Sequence, residues 1–585
     1  MQLNEKYIMH RCTLLAKRRR HGTPQLSQQD ARLMMTQETE FLKAQQQFQH
    51  LCELMRQAGR EGWRLDEIER RAMPELMSLG LEFLTGHVEG QGTGDVGPEV
   101  AYDNRTLHRS EKLHARRYLS IFGELPVPRY VYAVRKGQKA EYVPLDSRLG
   151  LPAGENSYVL EEWQQRLCVK DAFGQSVEDL KAILGQGVSV GTAEDMNRSM
   201  AEHAEAYRGT QPLPPVEEEA ELLVVTGDGK GVVMRRTLAE ELREARETPP
   251  AAAPLPVAAL TRQRKRRSAS AKRRAAKARQ RRAQEAVREH HQRLPSAAVG
   301  ANEKKKKKNG KKQMAYVGAV YTIDRFRRTT DEVLDEMARR VRTKERPRPQ
   351  HKRVWAEMTR ILEGEPVSGR EWLFCSLAKE CQQRDPDRKR TLICLLDGER
   401  SLWDMQRFWF GRAIGILDIF HVSERIWGAA HCFHAKESEA ARQFATHHLR
   451  MTLDGKVSYV LRNLRRLLDE KKKDLAAKKR KTLRAAITYF ENNQDHMHYD
   501  EYLAAGYPIG SGVVEGACRH LVKDRLELTG MRWEREGAQS MLHLRAIYLN
   551  REWNQFVNYR IQAEQAALYG PGTVYSKVAD YAQAA

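Results

Sequence analysis

The chain has 585 residues, of which 100 are Lys or Arg and 77 are Asp or Glu, so its formal net charge is +23. This length allows about three or four domains, and the positive charge predicts a polyanionic partner. No run of 18 apolar residues is present, which argues against a membrane partner and predicts a soluble, cytoplasmic protein. The eight cysteines contain no C-x-x-C pair, which argues against a zinc ribbon or a disulfide scaffold.

The N-terminal region, residues 1–95, is predicted to be helical. Phe41, Phe48 and Met55 recur at the spacing of one helix face, so we expect these helices to pack on a neighbour. The glycine-rich stretch 86–100 predicts a linker to the next region.

Residues 101–160 are predicted to form a small β-rich module with a basic edge. Two strand-like segments lie on either side of Gly123, and Arg116 and Arg117 begin the first of them. Both arginines are candidates for binding duplex DNA. They are equally consistent with a solvated strand edge, where arginine prevents aggregation.

Residues 165–210 match a helix-turn-helix pattern. One helix is predicted from Ser176 to Leu184, a glycine-bearing turn follows, and a second helix continues to Arg198. The pattern is typical of DNA-binding motifs and equally of an ordinary helical hairpin.

The largest predicted domain covers residues 220–555, and a C-terminal tail follows at 556–585. Two insertions interrupt this domain, a basic one at 237–313 and a helical one at 434–505. Residues 261–313 contain 21 Lys and Arg against 3 Glu, or +18 of the total charge. Such a tract cannot bury enough apolar surface to fold alone, so we expect disorder. It would bind DNA phosphates without sequence preference, or simply remain solvated.

Asp228 is the first of three acids that are candidates to act together. Leu222 to Val225 is predicted as a strand and Val232 to Met234 as a returning strand, so Asp228 is expected near a hairpin. Lys230 follows two positions later and is a candidate to neutralise phosphate.

Two later strands are predicted to end at aspartates. The apolar run 391–396 is typical of a strand buried on both faces, and Asp397 follows it directly. A shorter run at 414–417 ends at Asp418. With the strand predicted at 315–323, these segments predict a mixed five-stranded sheet in an α/β fold. The strand ends of such a sheet would gather the acids at one edge.

A glycine-rich turn, Gly510-Ser-Gly512, leads into a helix with Glu515 in its first turn. Basic residues follow and are candidates for binding DNA phosphates: Arg519, Lys523 and Arg525. An acid beside a basic helical face is typical of a metal held next to phosphate, and equally of an acid favoured by the helix dipole. Trp533 is a candidate to stack on a base at a frayed DNA end, or a core residue.

Several motifs together resemble the DDE transposases of bacterial insertion sequences, and they are most similar to the ISKra group. They are Gly227-Asp-Gly-Lys230, Leu396-Asp-Gly-Glu-Arg400, Asp418-Ile-Phe-His421 and Tyr507-Pro-Ile-Gly-Ser-Gly-Val-Val-Glu-Gly516, followed by Gly530-Met-Arg-Trp533. The resemblance covers residues 100–235 and 314–555. It implies an RNase H-like catalytic core within the 220–555 domain, with the helical segment as an all-helical insertion.

The resemblance also implies a site and a reaction. Asp228, Asp397 and Glu515 would be catalytic and would bind two Mg²⁺ ions, for which Mn²⁺ would substitute. Asp418 and His421 would have an accessory role in orienting DNA or water, although a surface aspartate and a packed histidine fit the same spacing.

As a mobile-element enzyme of the bacterial nucleoid, the chain would bind double-stranded DNA at terminal inverted repeats, as a homodimer or higher oligomer. It would catalyse the cleavage and strand transfer of DNA transposition, a form of DNA recombination. Two other functions fit the same sequence. An RNase H-like nuclease would cut DNA without joining it, and a non-catalytic DNA-binding regulator would bind DNA ends without a metal.

Overall fold

The structure is a computed structural model that describes residues 41–235, 312–339, 345–362, 365–471 and 473–570. These residues form two compact units. Several predictions fall outside them: the structure of residues 1–40, of almost all of the basic insertion 237–313, and of the tail from residue 571.

Of the described residues, one unit comprises 41–166, 174–189 and 558–570. It contains, wholly or in part, α1 (Leu42–Glu61), α2 (Leu65–Gly90), β1 (Glu99–Tyr102), β2 (Arg105–Arg109), β3 (His114–Leu119), β4 (Glu124–Arg129), β5 (Tyr132–Ala133), α3 (Pro144–Arg148), α4 (Tyr158–Cys168) and α5 (Phe173–Leu184). The two strands predicted around Gly123 are confirmed, because β3 and β4 pair antiparallel on either side of it. Leu125 and Val127 of β4 pack in a small core against apolar residues of α2.

The second unit comprises residues 167–173 and 190–557. Its helices and strands are α6 (Val190–Ala201), α7 (Ala204–Arg208), β6 (Leu222–Val233), β7 (Lys312–Ile323), α8 (Thr330–Met337), β8 (Gln350–Met358), β9 (Arg360–Leu362), β10 (Glu365–Val367), α9 (Gly369–Arg384), β11 (Thr391–Leu396), α10 (Arg400–Trp409), β12 (Ile414–Leu417) and α11 (Ile419–Phe433). It continues with α12 (Glu439–Leu453), α13 (Val457–Glu470), α14 (Ala477–Asn493), α15 (Tyr499–Ala505), α16 (Gly512–Ala517), a π-helix (Cys518–Lys523), α17 (Asp524–Leu526), α18 (Arg535–Leu549) and α19 (Trp553–Tyr569), which ends in the first unit.

A mixed five-stranded sheet forms the centre of this second unit, in the order β12-β11-β6-β7-β8. Strand β7 pairs antiparallel with both β6 and β8, whereas β11 pairs parallel with both β6 and β12. The predicted α/β class and five-stranded mixed sheet are therefore confirmed. The apolar runs at 391–396 and 414–417 form strands because their side chains enter the large core beneath the helices.

The predicted hairpin at Asp228 is wrong. Residues 222–233 form one continuous strand that pairs with β7 along its whole length, from Leu222 opposite Ile323 to Val233 opposite Lys312. The glycines beside Asp228 permit a turn, but a long partner strand supplies hydrogen bonds that hold them extended. The third antiparallel strand is instead β8, which the sequence pattern did not predict.

The segment between β12 and α16 is helical, as predicted for residues 434–505. Helices α12, α13, α14 and α15 fill it, and their apolar faces join the same core as the sheet. Within the described part of the chain, no helix combines the length and apolar composition needed to cross a bilayer.

The two helices predicted between residues 173 and 201 are present as α5 and α6. The boundary between the two units falls at residue 189, between these helices. Their use as a DNA-binding helix-turn-helix stays a prediction.

Candidate active site

Three aspartates lie side by side across neighbouring strands. Asp228 is in the middle of β6, and Asp397 and Asp418 each follow the last residue of β11 and β12. Leu396 of β11 pairs with Gly227 of β6 on one side and with Leu417 of β12 on the other. The residues that follow these three, which are the three aspartates, therefore lie level with one another across the sheet. The parallel register of the sheet thus gathers the three carboxylates at one edge, as the sequence predicted for Asp228 and Asp397.

Glu515 reaches this edge from the short helix α16, which packs on β6 and β7. Three residues further, the Cys518 thiol donates a hydrogen bond to Asp228 Oδ2 at 3.3 Å. The other oxygen of Asp228 accepts a hydrogen bond from its neighbour Gly229 N at 2.6 Å. The helix that carries the predicted glutamate is therefore joined to the strand that carries the first aspartate.

Burial, and after it neighbouring negative charge, raises the pKa of two acids at the site. Burial raises the pKa of Asp397, and the nearby charge of Asp228 raises it further. Burial likewise raises the pKa of Glu515, with additional contributions from the charges of Asp418 and Asp228. Neighbouring carboxylates disfavour one another's ionised form, and their oxygens are the ligands that divalent cations prefer. Among the described residues, however, Asp228, Asp397 and Glu515 do not form a group whose ligand atoms all lie within 4.8 Å of one another.

A left-handed glycine and a tyrosine fix the backbone at Asp397. Gly398 has φ +89°, and a Cβ atom there would lie 2.8 Å from both a Leu417 methyl carbon and the Tyr489 hydroxyl. The Tyr489 hydroxyl donates to the carbonyl oxygen of Asp397 at 2.7 Å. The Arg425 guanidinium lies over the Tyr489 ring at 4.8 Å. A residue of the helical insertion thus supports one of the predicted site residues.

Asp418 is completely buried, so its side chain is not placed to contact DNA directly, whereas an accessory role in orienting water stays a prediction. Its carboxylate accepts hydrogen bonds from Phe420 N and from both the amide and the hydroxyl of Ser511. His421, in contrast, is partly exposed and lies 3.8 Å from a carboxylate oxygen of Glu424. It could therefore contact a substrate at the site, whereas Asp418 could not.

The described residues contain two groups of side chains close enough to hold a metal ion. In one, the ligand atoms of Asp418, His421 and Glu515 lie within 4.8 Å of one another. In the other, formed by Glu205, Glu357 and His543, arginines already neutralise the acids: Arg208 Nη1 lies 3.3 Å from Glu357 and Arg360 Nη1 lies 2.5 Å from Glu205. The second group is therefore an ion-pair network, in which Glu357 and His543 are buried and Glu205 is exposed.

Three of the basic residues predicted to bind DNA are accessible on the unit that contains the acids. Lys230 lies on the same face of β6 as Asp228, because side chains alternate along a strand, and 39% of its side chain is exposed. Arg519 and Lys523 are exposed on the π-helix, where the four-residue spacing of an α-helix no longer defines the faces.

The predicted DNA contact of Arg525 is wrong, because its side chain is 0% exposed. Its guanidinium lies 5.0 Å from the ring centroids of both Phe173 and Trp533, and its Nε donates to the Cys168 carbonyl at 2.7 Å. Trp533 is buried in the same cluster and donates its indole N–H to Leu526, so it is a core residue and not a base-stacking platform.

The arginines of the small β module differ from each other. Arg116 is largely buried, donates to Asp146 at 2.8 Å and also donates to the carbonyls of Pro152 and Gly154, so its predicted DNA contact is wrong. Arg117 is 54% exposed and is paired only at the surface, which leaves it a candidate.

Sequence reasoning missed Cys518 and Tyr489. Cys518 could have been predicted, because it comes three residues after Glu515 and residues at that spacing lie on the same side of a helix. Tyr489 carried no such signal, because its contact with Asp397 depends on tertiary packing. Comparison of the chain with protein-family models and with curated proteins finds no match. The geometry of the four acids is thus the basis on which a function is assigned.

Proposed function

We propose that this chain is a DNA transposase with an RNase H-like core, in which Asp228, Asp397 and Glu515 form a DDE triad. The order of elements supports the core: three antiparallel strands, then two parallel strands separated by a helix. The observation that carries the proposal is the meeting of β6, β11 and α16, which gathers three acids separated by long stretches of sequence. The sequence motifs supply the resemblance to the ISKra group.

The donor set is of the kind that Mg²⁺ prefers, because it consists of carboxylate oxygens on neighbouring elements at one edge of the sheet. Bound there, Mg²⁺ would supply charge stabilisation at the attacking and leaving oxygens of a phosphodiester. Asp228, Asp397 and Glu515 would hold the ions and orient the scissile phosphate between them. The strand-anchored backbone of Asp228 keeps one ligand fixed, which lowers the cost of organising the site.

Residues around the triad would hold the DNA. Lys230 places an ammonium on the same strand face as Asp228, and Arg519 and Lys523 extend the positive surface along the chain after Glu515. His421 is partly exposed among the acids and would contact a phosphate or a water molecule. Terminal inverted repeats would be the specific substrate, bound by a homodimer or a higher oligomer.

The test is a strand-transfer assay with purified protein, Mg²⁺ and a duplex that ends in the inverted repeats bordering its own gene. We expect the wild-type protein to nick the ends and join them to a target plasmid. The isosteric variants Asp228→Asn, Asp397→Asn and Glu515→Gln should each lose joining to background, because each removes a charged oxygen ligand. Glu534→Gln, which changes an exposed acid paired with Arg235, is the matched control and should retain activity.

The other outcomes separate the alternative functions. Cutting without joining would identify a nuclease of the same fold. Binding to the ends that is unaffected by Mg²⁺ removal, without any cutting, would identify a DNA-binding regulator. Joining that survives any one triad substitution would remove that residue from the site.

A further inference from the structure

A tight joint connects the end of β12 to the turn that precedes Glu515. Ile419 N donates to the carbonyl oxygen of Ile509 at 2.9 Å, so the two segments are joined through their backbones. The next residue, Gly510, lies against the ring of Phe420, and a Cβ atom at Gly510 would be only 2.7 Å from a ring carbon. The segments can approach this closely because position 510 is glycine.

Asp418 is the polar centre of this joint. Its Oδ1 accepts from Phe420 N at 2.8 Å, and its Oδ2 accepts from Ser511 N at 3.2 Å and from the Ser511 hydroxyl. Both residues are buried, Asp418 completely. Hydrogen bonds from within the protein therefore occupy both carboxylate oxygens, as burial of a charged group requires.

Ser511 connects Asp418 to the backbone of Glu515 through hydrogen bonds. It stands at the start of α16, where a serine side chain usually caps the helix, but its hydroxyl makes no cap hydrogen bond. The hydroxyl donates to Asp418 instead, and the Ser511 carbonyl oxygen accepts from Val514 N at 2.9 Å and from Glu515 N at 3.1 Å. A continuous series of hydrogen bonds thus runs from Asp418 through Ser511 to the backbone of Glu515.

We propose that Asp418 is a positioning residue, which through Ser511 holds the first turn of α16 and thereby keeps the Glu515 carboxylate at the edge of the sheet that carries Asp228 and Asp397. This inference rests on the proposed function, since it assigns the Glu515 carboxylate a place in the metal site. It also accounts for the closeness of Asp418 to Glu515, because Asp418 is bonded to Ser511, four residues before Glu515.

The expected effect follows from the behaviour of residues that orient metal ligands. Loss of such a partner lowers metal affinity by about 10–100-fold. Asp418→Asn leaves a carbonyl oxygen but replaces the other acceptor by a donor, which cannot accept from the Ser511 hydroxyl. Ser511→Ala removes the hydroxyl itself. Both changes should loosen the first turn of α16 and lower the metal affinity.

The experiment uses the full chain and two measurements that need no DNA. Hydrogen exchange of the amides in residues 512–517 reports the stability of the helix, and electron paramagnetic resonance reports the affinity for Mn²⁺. Asp418→Asn and Ser511→Ala should each speed exchange and weaken Mn²⁺ binding by about 10–100-fold. The double variant should be no worse than either single one, because both remove the same contact. Ser511→Thr, which keeps the hydroxyl, should restore both readouts.

A control variant tests whether any serine at a helix start matters equally. Ser438 begins α12 and accepts from Ala441 N at 3.2 Å, so Ser438→Ala removes a cap far along the chain from Glu515. We expect this variant to leave exchange in residues 512–517 and Mn²⁺ affinity unchanged. An equal effect of Ser438→Ala would overturn the assignment.

Two further results would overturn it. Unchanged exchange and unchanged Mn²⁺ affinity in both single variants would remove the positioning role. Weaker Mn²⁺ binding in Asp418→Asn alone, with exchange unaltered, would make Asp418 a ligand. If Asp418→Asn does not fold by circular dichroism, Ser511→Ala and its threonine rescue carry the test. Mn²⁺ affinity that is unaffected by Asp228→Asn would instead count against the proposed function, whatever the exchange data give.

Discussion

The fold holds the carboxyl group of Asp397 in surroundings that disfavour its ionised form. The side chain is partly buried beside other carboxylates, and both effects raise the pKa of its carboxyl group. Ionised Asp397 therefore costs the folded protein stability when no cation is present. Under the proposed function, a divalent ion bound beside Asp397 would offset this loss of stability.

A pH-dependent stability change should follow. Because the pKa of folded Asp397 lies above its unfolded value, its unfavourable contribution is absent below the unfolded pKa, about 3.9, and complete once the pH exceeds the folded pKa. In EDTA at pH 7.5, Asp397→Asn should have a higher free energy of urea unfolding than the wild-type protein, and the difference should shrink towards zero as the pH falls. Asp404→Asn, at an exposed position of α10, is the control. A less stable Asp397→Asn at pH 7.5 would contradict this prediction.

Single residues also mark the limit of sequence reasoning. The acids at strand ends were predictable, because a short apolar run followed by aspartate carries a local signal. Arg525 was assigned to DNA because charge alone does not reveal burial. Its aromatic neighbour Phe173 lies more than three hundred residues away in sequence, and that contact exists only in the folded chain.

At the scale of elements, the sequence predicts β11 and β12, which are apolar throughout, but does not predict β8, which is of mixed composition. Strand β8 begins with Gln350-His-Lys-Arg353 and is buried only in its second half, so its pattern does not distinguish it from a loop. The sequence pattern predicts two short strands in place of β6, separated at its glycines. Local turn propensity is visible in the sequence, whereas the pairing with β7 is not. The helices of the insertion were predictable from their periodic apolar residues.

The turn after β11 gives an element-scale prediction. Gly398→Ala places a methyl group against Leu417 and Tyr489 and forces a side chain into left-handed backbone, so it should lower the free energy of unfolding by about 1–3 kcal/mol. Gly512→Ala is a matched control within α16, where an added methyl group meets no atom within 4 Å. It should be neutral or stabilising by about 0.4–1 kcal/mol. Urea unfolding of both variants would decide, and equal effects would contradict the prediction.

At the scale of the whole molecule, the basic insertion leaves and re-enters the fold at adjacent points. Val233 pairs with Lys312 at the ends of β6 and β7, so the intervening sequence closes a loop between neighbouring strands. The entropic cost of a loop changes slowly with its length, by about 0.6 kcal/mol for each doubling. The sheet should therefore not depend on the insertion.

Replacement of residues 236–311 by a short glycine-rich turn should keep the fold and raise its free energy of unfolding by about 2 kcal/mol. It should also weaken non-specific DNA binding and reduce the slope of log affinity against log salt, because it removes most of the +18 tract. Circular dichroism, urea unfolding and fluorescence anisotropy at several salt concentrations would measure this. An unchanged salt slope would show that the tract does not contact phosphate, and loss of the fold would show that the sheet needs it.

The segment that carries Glu515 is fastened to the sheet at both of its ends. Ile509 and Ser511 are bonded to the residues after β12, and Trp533 exchanges backbone hydrogen bonds with the end of β6, through Val233 and Arg235. Neither end can detach without breaking hydrogen bonds to a strand of the sheet or to the residues that directly follow one. The glutamate and the aspartates therefore belong to one cooperative unit, and partial denaturation should abolish cation binding and sheet structure in a single transition.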